Sequence, residues 1–263
     1  MTFPESIHRN TLERCIKFLN ESNRIESINE IDYDNKKNQS VDTGHFGAFI
    51  LSQNNAVNRN TLSVRKIRFW QELVTREQLK YDHHIEENAV GHIRGPSLKT
   101  NVRVGAYIPP DFSRVPMLLQ CLIEDINEGL KDQGRLDDDV EYCKFLGSSF
   151  QRFESIHPFA DGNGRVGRLV ANYIATYCNR PIIIFDSEKS LREKYYRAHE
   201  SHKKMWSFIA KKIQEAIFGL NGNILFKNIK SSGSSSLYSF PEKKDSEIYE
   251  WHALHFAVKK WEE

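Results

Sequence analysis

The chain has 263 residues, 39% hydrophobic and 27% charged, and its 37 Lys and Arg against 35 Asp and Glu leave a formal net charge of +2. That is enough apolar content for a globular core, and so even a charge balance gives no reason to expect a nucleic acid or a membrane surface as partner. Cys15, Cys121, Cys143 and Cys178 are widely spaced with no Cys-x-x-Cys pair, and no stretch reads as a signal peptide or a membrane span. Reduced thiols in a cytosol fit this pattern, whether the cell's own or that of a host into which the protein is delivered.

In chain order, Leu12, Cys15, Ile16 and Leu19 form one stripe within 11–26, which predicts a docked amphipathic helix. Residues 29–43 turn polar and read as a loop. A series of helices is then predicted over 46–54, 62–78, 115–130, 138–155, 165–178 and 191–218, with a clear stripe at Val115, Leu118, Leu119, Leu122 and Ile126. Between 94 and 110 the pattern changes to Gly, Pro and alternating Val102, Val104 and Ala106, which predicts a short β-hairpin ended by Pro109 and Pro110. Residues 231–236 are a Ser/Gly linker by composition. Beyond it, Ile248, Trp251, Leu254, His255, Val258 and Trp261 share a face of a terminal helix, to be docked on the core or covered by a second copy or a target. The expected fold is mainly α with one small β element, divided as an N-terminal segment 1–44, a core 45–228 and a tail 229–263.

Residues 157–168 read His-Pro-Phe-Ala-Asp-Gly-Asn-Gly-Arg-Val-Gly-Arg. Twelve positions hold a base, a carboxylate, a Gly-Asn-Gly turn and two arginines. Glycines on both sides of Asn163 let successive N–H groups converge, and Arg165 and Arg168 offer cationic forks. Val166, Leu169, Val170, Tyr173, Ile174 and Tyr177 follow at helical spacing, so a bound anion would sit on a helix N-terminus. The stretch reads as a phosphate site with its own base.

At these residues the chain resembles the Fic family, whose signature is His-Pro-Phe, any residue, Asp or Glu, Gly-Asn-Gly-Arg, two residues, Arg; every fixed position agrees. Residues 105–110 resemble the end of that family's flap hairpin, Leu146, Phe150, Phe153 and Ile156 its helix leading into the motif, and 192–198 its segment near the nucleotide base. The resemblance spans 45–220 and implies a Fic-type helical bundle with a small β-hairpin flap.

The resemblance implies an enzyme that transfers AMP from ATP to a Ser, Thr or Tyr hydroxyl of a target protein. His157, which titrates near neutrality, would be the general base, and Asp161 would hold Mg²⁺ or Mn²⁺ together with nucleotide phosphates. Gly162, Asn163 and Gly164 would cradle the α- and β-phosphates, Arg165 would neutralise the β-phosphate and Arg168 would reach the γ-phosphate. Pro158 and Phe159 would be scaffold, and Tyr195 and Tyr196 are candidates for the base pocket. Relatives that phosphorylate carry Ala-Asn-Lys-Arg, and those that transfer phosphocholine carry Ala at the first glycine; the intact Gly162 and Gly164 favour nucleotidyl transfer. The flap residues Val102, Arg103, Val104 and Gly105 would pair with an extended target segment. Lys99 stands where the family commonly has Arg two residues before Asn101, which keeps the charge without the fork.

Ser22-Asn23-Arg24-Ile25-Glu26-Ser27 resembles the family's inhibitory motif, Ser or Thr, three residues, Glu, then Gly or Asn, with Ser27 departing from the last position. Glu26 would then pair with Arg168 and occupy the place of the γ-phosphate. Other readings stay open: removal of AMP, transfer of another nucleoside monophosphate, or a silent nucleotide-binding regulatory module. Self-modification and homodimer formation are left open too. No basic stripe interleaved with aromatics points to nucleic acid.

Overall fold

A computed structural model describes residues 9–81, 85–105 and 107–218. The 231–236 linker and the predicted terminal helix lie outside the described residues. Among these are nine α-helices: α1 Arg9–Ile25, α2 Gly44–Val57, α3 Val64–Gln78, α4 Val115–Gly129, α5 Gln133–Leu136, α6 Asp139–Ile156, α7 Asn163–Tyr177, α8 Lys189–Ala198 and α9 His202–Phe218. The mainly helical expectation holds, and none of the described helices is long and apolar enough to cross a membrane.

Local chemistry explains where the helices begin. Ser63 caps α3 by accepting from the Lys66 amide at 3.3 Å, and Asp138 caps α6 by accepting from the Val140 and Glu141 amides at 2.9 Å each. The predicted helix over 191–218 divides into α8 and α9, because the backbone turns at His199 and Glu200 and Ser201 accepts from the Lys204 amide at 3.2 Å. Composition hides that break: none of the residues around it is Gly or Pro.

The middle of the fold is α7, which packs on α2, α3 and α6 and touches α1. Its predicted apolar stripe is buried up to Ile174, with Tyr177 half-buried, but so are Gly167, Arg168, Ala171, Asn172 and Ala175 on its other sides, so the helix is enclosed along most of its length rather than amphipathic. Asn172 is tolerated there because its side-chain amide donates to the Ile183 carbonyl at 3.1 Å and accepts from the Ile183 amide at 2.7 Å. This pins the extended strap between α7 and α8.

α1 is docked as its stripe predicts, with Cys15, Phe18, Leu19 and Ile25 in the same apolar core as α2, α3 and α7. The boundary expected at 44/45 therefore separates elements of one core. A polar joint fixes the end of α1 against α2 and α3. His45 Nδ1 donates to Asn23 Oδ1 at 3.0 Å, the His45 amide donates to Glu77 at 2.9 Å, and the Tyr33 hydroxyl donates to Glu77 at 2.5 Å. Burial, with Arg165 and Arg168 nearby, holds His45 well below the usual imidazole range, so it is neutral.

Residues 93–107 depart from the hairpin expectation. In place of a ladder there are isolated bridges, Gly95 with Leu98, Val104 with Tyr107, and Ile93 with Phe159. The segment is two tight turns anchored at each end, with Tyr107 donating its hydroxyl to the Ser155 carbonyl at 2.7 Å. Without a paired strand, Val102 and Val104 remain half-buried and Arg103 and Gly105 exposed.

Candidate active site

α6 ends at His157, which adopts a left-handed conformation (φ 49°, ψ 62°) and donates its amide to the Phe153 carbonyl at 3.0 Å. A non-glycine residue in this region is strained and needs outside support. Arg94 provides it. This buried arginine donates from Nε to the His157 carbonyl at 2.8 Å, from Nη2 to that of Ile156 at 2.9 Å and from Nη1 to that of Pro110 at 2.9 Å, while its own amide donates to Pro158 at 2.8 Å. Nothing in its local sequence announces the role, since the side-chain bonds to Pro110, Ile156 and His157 reach carbonyls 16 to 63 residues away.

The imidazole of His157 is half-buried, with Nδ1 3.3 Å from the Glu154 carbonyl. That contact selects the tautomer with the proton on Nδ1 and leaves an accepting lone pair on Nε2. Burial pushes its pKa down to about 4; the contact with Glu154 opposes the shift and the charge of Arg94 adds to it. At neutral pH the ring is an unprotonated base.

The turn after His157 is held from within. Asn163 Oδ1 accepts from the Phe159 amide at 2.8 Å, and its Nδ2 donates to the Phe159 carbonyl at 2.9 Å. Both ends of the amide are engaged, so Asn163 is a staple that closes the loop, with one further N–H on Nδ2 beyond the bond to Phe159. Gly162 takes φ 80° and caps α7 with no side-chain bond to the first-turn amides, which leaves those N–H groups without a side-chain cap. A Cβ at Gly164 would overlap the Glu26 carboxylate, so glycine here lets that carboxylate lie against α7.

Arg165 also departs from expectation. It is 1% exposed, donates to Gln78, and lies 3.1 Å from Asp161 through Nη2. In this position it braces Asp161 and the loop rather than reaching a phosphate. Asp161 keeps a 42% exposed side chain facing the turn. The described residues contain no group of three or more His, Cys, Asp or Glu able to hold a metal, so a cation here would depend on Asp161 and on the ligand's own oxygens.

Arg168 is 0% exposed and is held by the end of α1. Its Nε donates to Ser22 Oγ at 2.9 Å, and Nη2 donates to the Ser22 carbonyl at 2.9 Å and to Glu26 Oε1 at 2.7 Å. Burial alone would raise the Glu26 pKa; the charge and hydrogen bond of Arg168, with Arg165 and His157 behind it, outweigh that and hold the carboxyl below its ordinary value. The backbone places Glu26 there through a helix-ending motif in which the Ile28 amide donates to Asn23 and the Ser27 amide to Arg24, both at 3.0 Å, with Ser27 left-handed at φ 63°. The position where the resembling pattern has Gly or Asn is thus the one that needs a positive φ.

The two candidate tyrosines separate. Tyr195 is 3% exposed, packed among Phe150, Phe185, His199 and Phe208, and belongs to the core. Tyr196 is half-buried and feels the charges of Glu26 and Arg168, so of the pair it is the one with surface beside the site.

The Fic/DOC family model matches residues 68–175. A protein adenylyltransferase Fic from Culex quinquefasciatus is 31% identical over 116 residues, 43% of this chain and 22% of that protein. Its namesake from Aedes aegypti is 29% identical over the same length. The chain therefore spans about a fifth of the length of these curated relatives, 22% in each case. Among solved structures, a Fic domain containing signaling protein from Bacteroides thetaiotaomicron superposes with a TM-score of 0.59 at 19% identity, over 84% of this chain and 94% of that one. A Fic family protein from Desulfovibrio desulfuricans G20 gives 0.51 at 18% identity, over 81% and 66%. These two likenesses establish the shared helical fold. With the 157–168 signature agreeing at every fixed position inside the matched segment, residues 68–175 form a Fic/DOC family domain.

Proposed function

We propose that the protein is an adenylyltransferase that moves AMP from ATP to a hydroxyl of a target protein and is held back by Glu26. The reading is carried by the pairing of Arg168 with Ser22 and Glu26 directly over Gly164, beside a neutral His157. It is supported by the adenylyltransferase relatives over 43% of the chain.

In this reading the triphosphate lies along the first turn of α7, with its phosphate oxygens accepting from the open amides there. The target hydroxyl approaches from the side of Val104 and Gly105, hands its proton to His157 Nε2 and bonds to the α-phosphorus as pyrophosphate leaves. Asp161 is the residue that would hold a Mg²⁺ ion, whose charge would offset that building on the pyrophosphate. Positioning and charge neutralisation supply most of the acceleration. Glu26 opposes the productive pose by competition: its carboxylate occupies Arg168, and one charge-assisted hydrogen bond is worth roughly 1.5–3 kcal/mol.

The test is incubation of wild type, Glu26→Gly, His157→Ala and the double variant with Mg²⁺ and ATP, with and without cell lysate, followed by intact mass and peptide mapping. An AMP-sized adduct that grows in Glu26→Gly and vanishes in the double variant with His157→Ala is the expected result. Equal modification by wild type and Glu26→Gly, with both folded, would sink the inhibitory role.

A further inference from the structure

One half-buried acid beside this site has no part in the scheme above. Glu154 sits on the last turn of α6, and its Oε1 is enclosed without a hydrogen bond; Arg168 Nη1 is enclosed and unpaired in the same way. The two lie along one face of α7. A Cβ on Gly167 would overlap Glu154 Oε1, and a Cβ on Gly164, one turn earlier, would come within 3.0 Å of Arg168 Nη1. An unmet acceptor and an unmet cationic donor one helical turn apart are a pair waiting for a change of geometry.

We infer that Glu154 is the internal counter-ion of Arg168, taking the guanidinium when Glu26 withdraws, so that a γ-phosphate must displace it and the site takes up a proton on binding. This rests on the nucleotide reading proposed above and extends it to a residue outside the family signature.

The charges around Glu154 give the mechanism. Arg168 faces it from α7, Glu26 from the end of α1, and Tyr195 and Tyr196 from α8, while its own carbonyl meets His157. Burial pushes its carboxyl up to about 8, with Arg168 pulling down and Glu26 adding to the rise. With Glu26 in place, one guanidinium faces two carboxylates, and Glu154 keeps its proton. When Glu26 leaves, the like charge is gone and Arg168 lacks a charged partner; Glu154 then releases its proton to solvent and pairs. A γ-phosphate that captures Arg168 returns Glu154 to an unpaired enclosed state, and the carboxylate takes a proton back from solvent.

The experiment is calorimetric titration of the full chain with an ATP analogue carrying a methylene between the α- and β-phosphorus, with Mg²⁺, in two buffers of different ionisation enthalpy at about pH 8, where this carboxyl titrates. For Glu26→Gly the expectation is net uptake approaching about one proton per site with the ATP analogue and none with ADP, which lacks the γ-phosphate. Adding Glu154→Gln, a substitution of nearly equal shape, removes the uptake and tightens the ATP analogue about tenfold while leaving ADP unchanged. Equal uptake for ATP analogue and ADP in Glu26→Gly, or unchanged uptake in the double variant, overturns the proposal. The first comparison needs no change at Glu154, so a folding defect in the double variant does not obscure it. Failure of Glu26→Gly to bind either nucleotide would overturn the nucleotide reading itself, and this proposal with it.

Discussion

Arg94 Nε lies 2.8 Å from the carbonyl oxygen of His157, and the Arg94 amide reaches the next carbonyl, that of Pro158, at the same distance. One buried side chain and its own backbone grip the main chain on both sides of the proposed base. Burial pushes the guanidinium down only to about 10, so it remains charged and its hydrogen bonds to neutral carbonyls are charge-assisted. Arg94→Lys keeps the charge and loses the fork. In the Glu26→Gly background we expect kcat for AMP transfer to fall by about 100-fold, the scale expected for a misplaced reacting group, with KM for ATP within about threefold. Steady-state kinetics decides it: a proportional rise in KM would mean that the substitution disturbs nucleotide binding instead.

The depressed pKa of His157 sets the pH dependence. The imidazole titrates near 4 in the folded protein, against about 6.5 for an unperturbed histidine, so it stays unprotonated throughout the range from 5 to 7. The acidic limb of kcat for Glu26→Gly should therefore not fall near pH 6.5. Removing Glu26 removes a charge that favours the protonated ring, and this moves the limb further to acid. The same shift acts on stability: the unfolded chain binds a proton below about pH 6.5 that the folded chain refuses down to about 4, so this residue's contribution declines across that window as pH falls. An activity loss centred near 6.5 would show that the ring is solvated when it works.

Much of the site is legible in the sequence because its parts are contiguous. The run from His157 to Arg168 carries its own turn glycines and helix start, and α7 begins at Asn163 as those residues require. Division of labour within the run depends on what lies above it. The Asn163 amide meets the Phe159 backbone, Arg165 meets Gln78 from α3, and Tyr195 rather than Tyr196 is sealed by α9, and none of these follows from spacing. Glu26 is a partial case: its pattern points to Arg168, but the reason for the last position emerges only with the left-handed Ser27. Arg94 had no local signal at all, as its partners are carbonyl groups, which every residue has.

Asn163 offers a separate test of the staple. Asn163→Ala removes both bonds to Phe159 and leaves a buried amide and carbonyl unmet, at a cost of about 2–4 kcal/mol. For a domain of this size that lowers Tm by roughly 5–15 °C. Asn163→Asp keeps the acceptor for the Phe159 amide and adds a negative charge at the N-terminus of α7, which favours the helix, so its melting loss should be the smaller. It should nonetheless weaken ATP binding more than Asn163→Ala does, because the new charge lies at the helix N-terminus where the phosphates are proposed to bind. Equal melting temperatures for the three proteins would remove the staple.

Ser27 tests whether the end of α1 is tuned for inhibition. Its φ of 63° costs a non-glycine residue about 1 kcal/mol, and Ser27→Gly relieves that cost without touching Arg168. Glycine also enlarges the freedom of the unfolded chain, so global melting reports only the difference between two opposing terms. The cleaner readout is local. Withdrawal of Glu26 by fraying of the helix end breaks the Asn23–Ile28 hydrogen bond, and a better cap makes that opening rarer. We expect Ser27→Gly to lower residual AMP transfer by about fivefold, the ratio that corresponds to 1 kcal/mol, and Ser27→Val, β-branched and poorly suited to positive φ, to raise it. Combining either change with Glu26→Gly should abolish the difference, since the cap then positions no carboxylate.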